Sequence, residues 1–379
     1  MTQELKTLPM FDEEKNHECC SASEEPRNYQ NPADAAWSNG QIHTPIGKIY
    51  SVSTEYTPKD LIGTIKARWG VGRMDYAVEP GIYAIGEPDA ESPVLVSANY
   101  KLSFDYLRKE LTGLNVWLLV LDTRGINVWC AAGKGSFGTE ELVRMIDFTD
   151  LGNLVSKKIL IVPQLGAPGI AAHEIRRQTG FKVIYGPVRA ADIQVFISAG
   201  YKATPGMRHP DFSLADRLVL TPVELTAIVK PLLILTAVLL ILNIISTYLN
   251  QLPLSIPDLI SRTASGILPF LIASLVGTIL VPALLPYIPG RSFAWKGWLL
   301  GAVWTVLYLL FIAREINWMI TIAYLLALPA ISSYLSLNFT GSTTYTSLSG
   351  VIKEMTPALP FIIISSALGL IALVTGYLI

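Results

Sequence analysis

The sequence predicts an α/β domain with a parallel sheet, followed by an all-α domain of five membrane-spanning helices. Three observations carry that prediction. Only 16% of the 379 residues are charged although 51% are hydrophobic, and the mean hydropathy is +0.42; a soluble domain alone carries roughly 25% charge. Residues 94–200 alternate short β-branched apolar runs with helical stretches of about ten residues, the pattern of βαβ units. After Lys230, five apolar runs each approach the roughly 20 residues needed to span a bilayer.

Residues 1–45 are polar and acidic, with Pro, Asn and Ser, and are expected to form a flexible arm. The domain boundaries that follow are 46–225 for the α/β domain and 226–379 for the helices. From about residue 44 to 88 the chain has short apolar runs broken by Gly and Pro. Here the only regular element expected is a small helix over 58–69, with Pro58 in its first turn. The expected strands are 94–98, 116–122, 158–163 and 182–185. Between them lie helices over 103–111, 139–148 and 171–179, the second starting with Thr139 as a hydroxyl cap and acids in its first turn.

The expected spans are 232–249, 266–288, 297–313, 316–335 and 359–378, with Trp and Tyr residues as interfacial anchors. Lys230, Arg291, Lys296 and Lys353 then fall on the same side as the α/β domain, and Arg262 and Arg314 opposite. That bias, with a start lacking the apolar core of a signal peptide, predicts a multi-pass inner-membrane protein with its α/β domain in the cytoplasm. The loop 338–347 is rich in hydroxyls and faces the same side. It lines a docking surface or is an ordinary polar loop.

A formal net charge of −1 gives no electrostatic case for nucleic acid. Three cysteines, two of them adjacent, make no disulfide framework and suit a reducing compartment. The small-residue connections Gly125 to Gly138, Gly166-Ala167-Pro168-Gly169 and Gly186-Pro187 sit at the carboxyl edge of the expected sheet, where ligands of open α/β sheets bind. No Walker loop is present, because residue 128 is Val and residue 135 is Gly; no G-x-G-x-x-G follows a strand.

Within the first connection, Asn127-Val128-Trp129-Cys130-Ala131-Ala132-Gly133-Lys134 is read as a tight turn carrying one thiol. That thiol is structural, a nucleophile, a redox centre or a metal ligand. The sequence places neither a histidine base nor a second cysteine beside it. Single-thiolate ligation of a metal already held by a macrocycle needs neither.

The segment Asp122-Thr-Arg-Gly-Ile-Asn-Val-Trp-Cys-Ala-Ala-Gly-Lys134 resembles the signature of the mercury-methylating corrinoid proteins, membrane-anchored relatives of the corrinoid iron–sulfur protein large subunit. Gln164-Leu-Gly-Ala-Pro-Gly-Ile-Ala-Ala-His173 and Gly186-Pro-Val-Arg-Ala190 are similar to the wider corrinoid-binding family. The resemblance covers about 97–200 closely and extends to the five-helix tail, including Glu354. It implies a Rossmann-like corrinoid-binding domain with cobalt as the metal and Cys130 as its lower axial ligand. The Asp-x-His-x-x-Gly lower-ligand motif of other corrinoid proteins is missing, since Ala171 and Met207 stand two residues before His173 and His209.

The activity implied is transfer of a methyl group from methyl-Co(III) corrinoid to Hg(II), giving methylmercury. The methyl donor implied is of the methyltetrahydrofolate type, and the electron donor is a ferredoxin-like protein with two [4Fe-4S] clusters. Asn127, Val128, Trp129, Ala131, Ala132, Gly133 and Lys134 would line the corrinoid, as would Gly166, Ala167, Pro168, Gly169, Gly186 and Pro187. Lys134 would neutralise the cofactor's phosphate or fix the turn, or is simply a solvated loop lysine. Cys19 and Cys20, next to His17, would handle Hg(II) transiently or are two incidental thiols. Two alternatives are a corrinoid methyl carrier for another acceptor, of the acetyl-CoA-pathway type, and a membrane transporter or sensor with a ligand-binding cytoplasmic domain.

Overall fold

The computed structural model describes residues 29–313, 316–342 and 348–379. Cys19, Cys20 and His17 therefore lie outside the described residues, as does the 343–347 part of the hydroxyl-rich loop. Among the described residues seven strands form one sheet in the order β1-β2-β3-β5-β4-β6-β7. The four strands expected from the sequence are β4 (Val94–Ala98), β5 (Val116–Leu121), β6 (Ile159–Val162) and β7 (Lys182–Tyr185). They are mutually parallel. Every residue of β4 and β5 is buried, which is why both read as unbroken apolar runs rather than alternating ones.

The sheet as a whole is mixed. β1 (Ser38–Thr44) and β2 (Gly47–Val52) form an antiparallel hairpin, β2 runs parallel to β3 (Gly81–Ile85), and β3 pairs antiparallel with β5. These three strands were not expected from the sequence. β1 and the buried Trp37 lie within the stretch read as an arm: Trp37 packs edge-on against Phe104 at 4.9 Å and Tyr83 at 5.7 Å.

The helix expected near residue 58 is α1 (Pro58–Arg68), with Pro58 in its first turn and Thr57 and Asp60 closing a capping box. α2 (Lys101–Glu110) and α6 (Ile193–Ser198) cover one face of the sheet. The other face carries α3 (Val128–Lys134), α4 (Thr139–Phe148) and α5 (Ala172–Thr179). The N-cap of α4 is Gly138 rather than Thr139, although Glu140 and Glu141 do occupy its first turn. The Thr139 hydroxyl instead accepts from Ala171 N at 2.9 Å, tying the loop before α5 to the loop before α4.

Among the described residues five helices are long and apolar enough to cross a membrane. They are α7 (Thr221–Leu249), α8 (Ile256–Leu275), α9 (Phe293–Phe311), α10 (Trp318–Phe339) and α11 (Leu348–Leu378); α8 continues through a π turn, Val276–Leu280, into Val281–Leu284. Close approach at small residues holds them together: a Cβ at Gly297 would lie 2.5 Å from Ser332 O, and one at Gly277 2.8 Å from it. The buried hydroxyls of Ser274, Thr278 and Thr305 donate to carbonyls one helical turn earlier. A helix can thus bury polar side chains without a partner helix supplying acceptors.

Candidate functional site

The site is built where β5 ends. Arg124 (φ 56°) and Gly125 (φ 68°) both take left-handed backbone, so the chain reverses sharply after Asp122. A fully buried Asn99, one residue past β4, fixes that reversal. Its Oδ1 accepts from Thr123 N at 3.1 Å and Gly125 N at 2.9 Å, and its Nδ2 donates to Asp122 Oδ1 at 3.2 Å. Asp122 Oδ1 also accepts from the Tyr29 hydroxyl at 2.8 Å, while Asp122 N donates to Glu141 Oε1 at 2.9 Å. One buried side chain just past β4 thereby sets the path of the loop leaving β5.

The loop delivers Asn127 in extended conformation, and its Oδ1 accepts from Cys130 N at 2.9 Å. That is an N-cap bond, so the thiol-bearing stretch is a helix, α3, and not the turn expected from its small residues. Gly135, at φ 83°, ends it. The helix has two distinct faces. Ala131 and Ala132 point into the core with Phe137, while Val128, Trp129 and Cys130 are partly exposed and Gly133 and Lys134 exposed. A Cβ at Gly133 or Gly135 would meet nothing within 4 Å. The outward face is therefore a thiol with an open floor beside it.

The other candidate residues do different work. Gln164–Gly169 is a short 3₁₀ segment packed against α3. A Cβ at Gly169 would sit 2.1 Å from Phe137 O and 3.2 Å from Ala132 Cα; one at Gly166 would sit 2.4 Å from the Phe137 ring. Both glycines are needed so that this segment and α3 can touch. Of that stretch Pro168 is exposed and Ala167 half-buried. Gly186 and Pro187 are buried, and Gly186 packs on Ile161, Val162 and Phe196. The His173 side chain is exposed beside Glu174.

Two buried hydroxyls near the motif have no hydrogen-bond partner, Tyr100 Oη and Ser136 Oγ. Ser136 follows α3 directly. Tyr100 caps α2 at the end of β4, edge-on to Tyr76 and with the Arg73 guanidinium 5.8 Å over its ring. Burial pushes its phenol pKa up; the Arg73 and Arg68 charges oppose that, and negative charge at Cys130 adds to it. Buried polar groups are normally satisfied, so the two hydroxyls point to a polar group that would bind there. Neither was visible in the sequence, and neither was Asn99; only the fold brings them to the α3 edge.

Among the described residues no three His, Cys, Asp or Glu side chains converge to hold a metal ion. Geometry thus defines an α/β domain with a single thiol presented at the ligand edge of its sheet.

Residues 67–197 match the family described as the CO dehydrogenase/acetyl-CoA synthase delta subunit. The chain is 33% identical over 127 residues to the acetyl-CoA decarbonylase/synthase complex subunit gamma of Methanopyrus kandleri, which covers 33% of this chain and 27% of the relative. The corresponding subunit of Archaeoglobus fulgidus is 31% identical over 131 residues, 34% of this chain and 27% of that protein. The corrinoid/iron-sulfur protein large subunit of Moorella thermoacetica is 32% identical over 124 residues, 32% of this chain and 27% of its own length. The chain thus spans about a quarter of the length of these curated relatives. The matched region contains β4 to β7 and α3.

Proposed function

We propose that this chain is a membrane-anchored corrinoid protein that carries a methyl group on a cobalt held from below by Cys130, and that Hg(II) is the acceptor. Similarity over residues 67–197 supports corrinoid-linked methyl carriage. The observation that carries the particular ligand is the outward face of α3: a partly exposed thiol whose backbone is pinned by Asn127.

The residues present fit a corrinoid. The lone thiol offers one axial ligand and leaves the rest of the coordination to a macrocycle. Gly133 and Gly135 leave room for a flat group, Val128 and Trp129 provide apolar surface, and the Tyr100 and Ser136 hydroxyls are available to polar substituents. When bound, the corrinoid supplies a cobalt that accepts a methyl group and gives it up with its bonding pair, the form that a soft cation such as Hg(II) takes.

The protein's own part is positional and electronic. Asn99 fixes the loop, Asn127 fixes α3, and the Cys130 thiolate, a strong donor, favours departure of the methyl group with its electrons. Lys134, exposed in the last turn of α3, is the residue proposed to neutralise a cofactor phosphate. A separate protein is the electron donor proposed, since the three cysteines of this sequence are fewer than the four that hold one [4Fe-4S] cluster. A ferredoxin-like partner with two such clusters and a methyltetrahydrofolate-type methyl donor complete the proposal, with α7 to α11 spanning the inner membrane and the α/β domain on its cytoplasmic side. Cys19 and Cys20 are the residues proposed to handle Hg(II) on its way.

A second reading, a methyl carrier for an acetyl-CoA-forming enzyme, draws on the same similarity more directly, since two of the relatives named above are subunits of an acetyl-CoA decarbonylase/synthase complex. Offering isotopically methylated protein to thiol-bound Hg(II) and, separately, to an acetyl-CoA-forming enzyme separates the two. Methylmercury formed by the wild type and not by Cys130→Ala supports mercury as acceptor. Label that stays on the protein with Hg(II) but enters acetyl-CoA replaces it with the second reading.

A further inference from the structure

α1 is inside-out. Its inward face is Asp60, Thr64 and Ala67, and its outward face is Leu61, Ile62 and Ile65, continued past the helix end by Trp69 and Val71. Each of these five side chains is between 46 and 62% exposed. A surface helix of a soluble domain is ordinarily arranged the other way round, apolar stripe inward.

The inverted orientation is locked. Asp60 pairs with Lys101 at 3.2 Å and with Arg108 at 2.8 Å, both of them buried, and the Thr64 hydroxyl meets that of Tyr56 at 2.8 Å. Turning the apolar face inward would strip two buried cations of a counter-ion. The apolar face must therefore be covered from outside.

The surroundings of the patch say by what. Arg68 Nη1 donates to Val219 O at 3.0 Å, two residues before α7. Gly70 abuts α7 itself, since a Cβ there would lie 3.4 Å from Thr226 Oγ1. Thr226 precedes Lys230, the last charge before the apolar run of α7, by four residues, or about 6 Å along a helix. Directly beyond Lys230, α7 exposes Leu233 and Ile234. The patch thus ends within about 6 Å, along the helix, of the point at which α7 would pass from headgroups into hydrocarbon. Lys59, Lys66 and Arg68 flank it, while Asp60, the acid of α1, is turned inward and paired. Apolar residues with a tryptophan at the edge and lysines and arginines alongside are the composition of a segment that lies in a membrane interface.

We infer that α1 and the turn through Val71 rest on the anionic lipid surface beside α7, as an interfacial anchor parallel to the membrane; this builds on the reading of α7 to α11 as spanning helices. The same turn leads to Arg73, which stacks over Tyr100 at the thiol-bearing edge. Lipid contact at α1 would therefore hold that edge beside the bilayer surface.

The test uses the full-length chain in nanodiscs of phosphatidylcholine and phosphatidylglycerol, with Cys19, Cys20 and Cys130 replaced by serine. One environment-sensitive fluorophore is placed by Ile65→Cys, Phe148→Cys or Ile364→Cys. All three positions are exposed in the protein, so labelling leaves the core intact. The inference expects the label at 65 to emit to the blue, to be quenched by nitroxide-bearing lipid, and to be several-fold less quenched by iodide than the label at 148. It is overturned if the label at 65 is as open to iodide as that at 148 while the label at 364 is quenched by lipid. Protection from iodide without quenching by lipid would mean that protein covers α1, a second copy or another segment of this chain, and would also overturn it. If the label at 364 escapes lipid quenching, the spanning reading itself fails and the anchor with it.

Discussion

Two short helices of the α/β domain, α1 and α3, face the world in opposite ways. α3 turns Ala131 and Ala132 into the core and leaves a thiol half outside. α1 turns Asp60 and Thr64 inward and leaves leucine and isoleucine outside. What holds each explains the difference. Small-residue packing on Phe137 and Gly169, with an asparagine cap, fixes α3, so its outward side chains are available for chemistry. Buried ion pairs fix α1, so its outward side chains are available for an apolar environment. In both, specific local bonds set the orientation, and the function proposed lies on the face that those bonds leave free.

Changes at the two helices sharpen that contrast, beginning with the largest effect. Cys130→Ala removes the proposed cobalt ligand and leaves Ala131 and Ala132, the core-facing residues of α3, in place. Methyl transfer is expected to be lost, while stability, read by chemical denaturation, changes by less than about 0.5 kcal/mol, as for most surface substitutions.

Asp60→Ala attacks what holds α1. It leaves Asp105 as the one carboxylate paired with Lys101 and Arg108 among the described residues and is expected to cost about 3 kcal/mol, the scale for breaking a buried pair. A matching acid sensitivity is expected in the wild type. Burial raises the Asp60 pKa, but the Thr57 amide and hydroxyl, then Lys101 and Arg108, outweigh it and hold it at about 2 against an ordinary 3.8. A depressed carboxylate stabilises fully above its unfolded pKa, so this contribution should fade as pH falls from about 4 to about 2. Denaturation midpoints across that range, in wild type and Asp60→Ala, check both statements.

Gly169→Ala breaks the packing of α3 by driving a methyl group into Phe137 O and Ala132; about 2 kcal/mol of destabilisation is expected on the scale of overpacked sites, read as a lowered denaturation midpoint. Asn127→Ala removes the cap that positions Cys130 and should cost about 1 kcal/mol, with a larger proportional loss of methyl transfer than of stability. The smallest effect on the fold is at Gly133. Alanine there meets open space and should leave stability equal or up to about 1 kcal/mol higher, because glycine is a poor helix former. If the corrinoid lies on that face, the same methyl group should lower cobalt retention, measured after gel filtration.

Much of the architecture was legible because buried parallel strands and apolar helices each leave a plain periodic trace. β4 to β7, α4, α5 and the five long helices were found that way. β1 to β3 left no such trace, being punctuated by Gly40, Gly47, Gly81 and Gly86 and joined partly by antiparallel pairing to a sheet that reads as parallel elsewhere. α3 was taken for a turn on account of its small residues, although Asn127 three residues before Cys130 was a capping signal in plain view. α1 was located from Pro58, but its inverted face depends on where Lys101 and Arg108 stand, which no local pattern encodes. Gly166 and Gly169 were singled out as lining a cofactor; what they accommodate within the protein is Phe137 and Ala132. Asn99 was missed because a lone polar residue at a strand end has no period to betray it.

The chemistry proposed for this protein rests on the outward face of α3. Its most direct test is the ultraviolet–visible spectrum, with cobalt quantitation, of the full-length protein loaded with corrinoid, in wild type and Cys130→Ala. A thiolate beneath the cobalt should give the wild type a spectrum that the alanine variant loses, the latter matching a corrinoid with no protein ligand below. Identical spectra at equal cobalt content would contradict the assignment of Cys130 as the axial ligand.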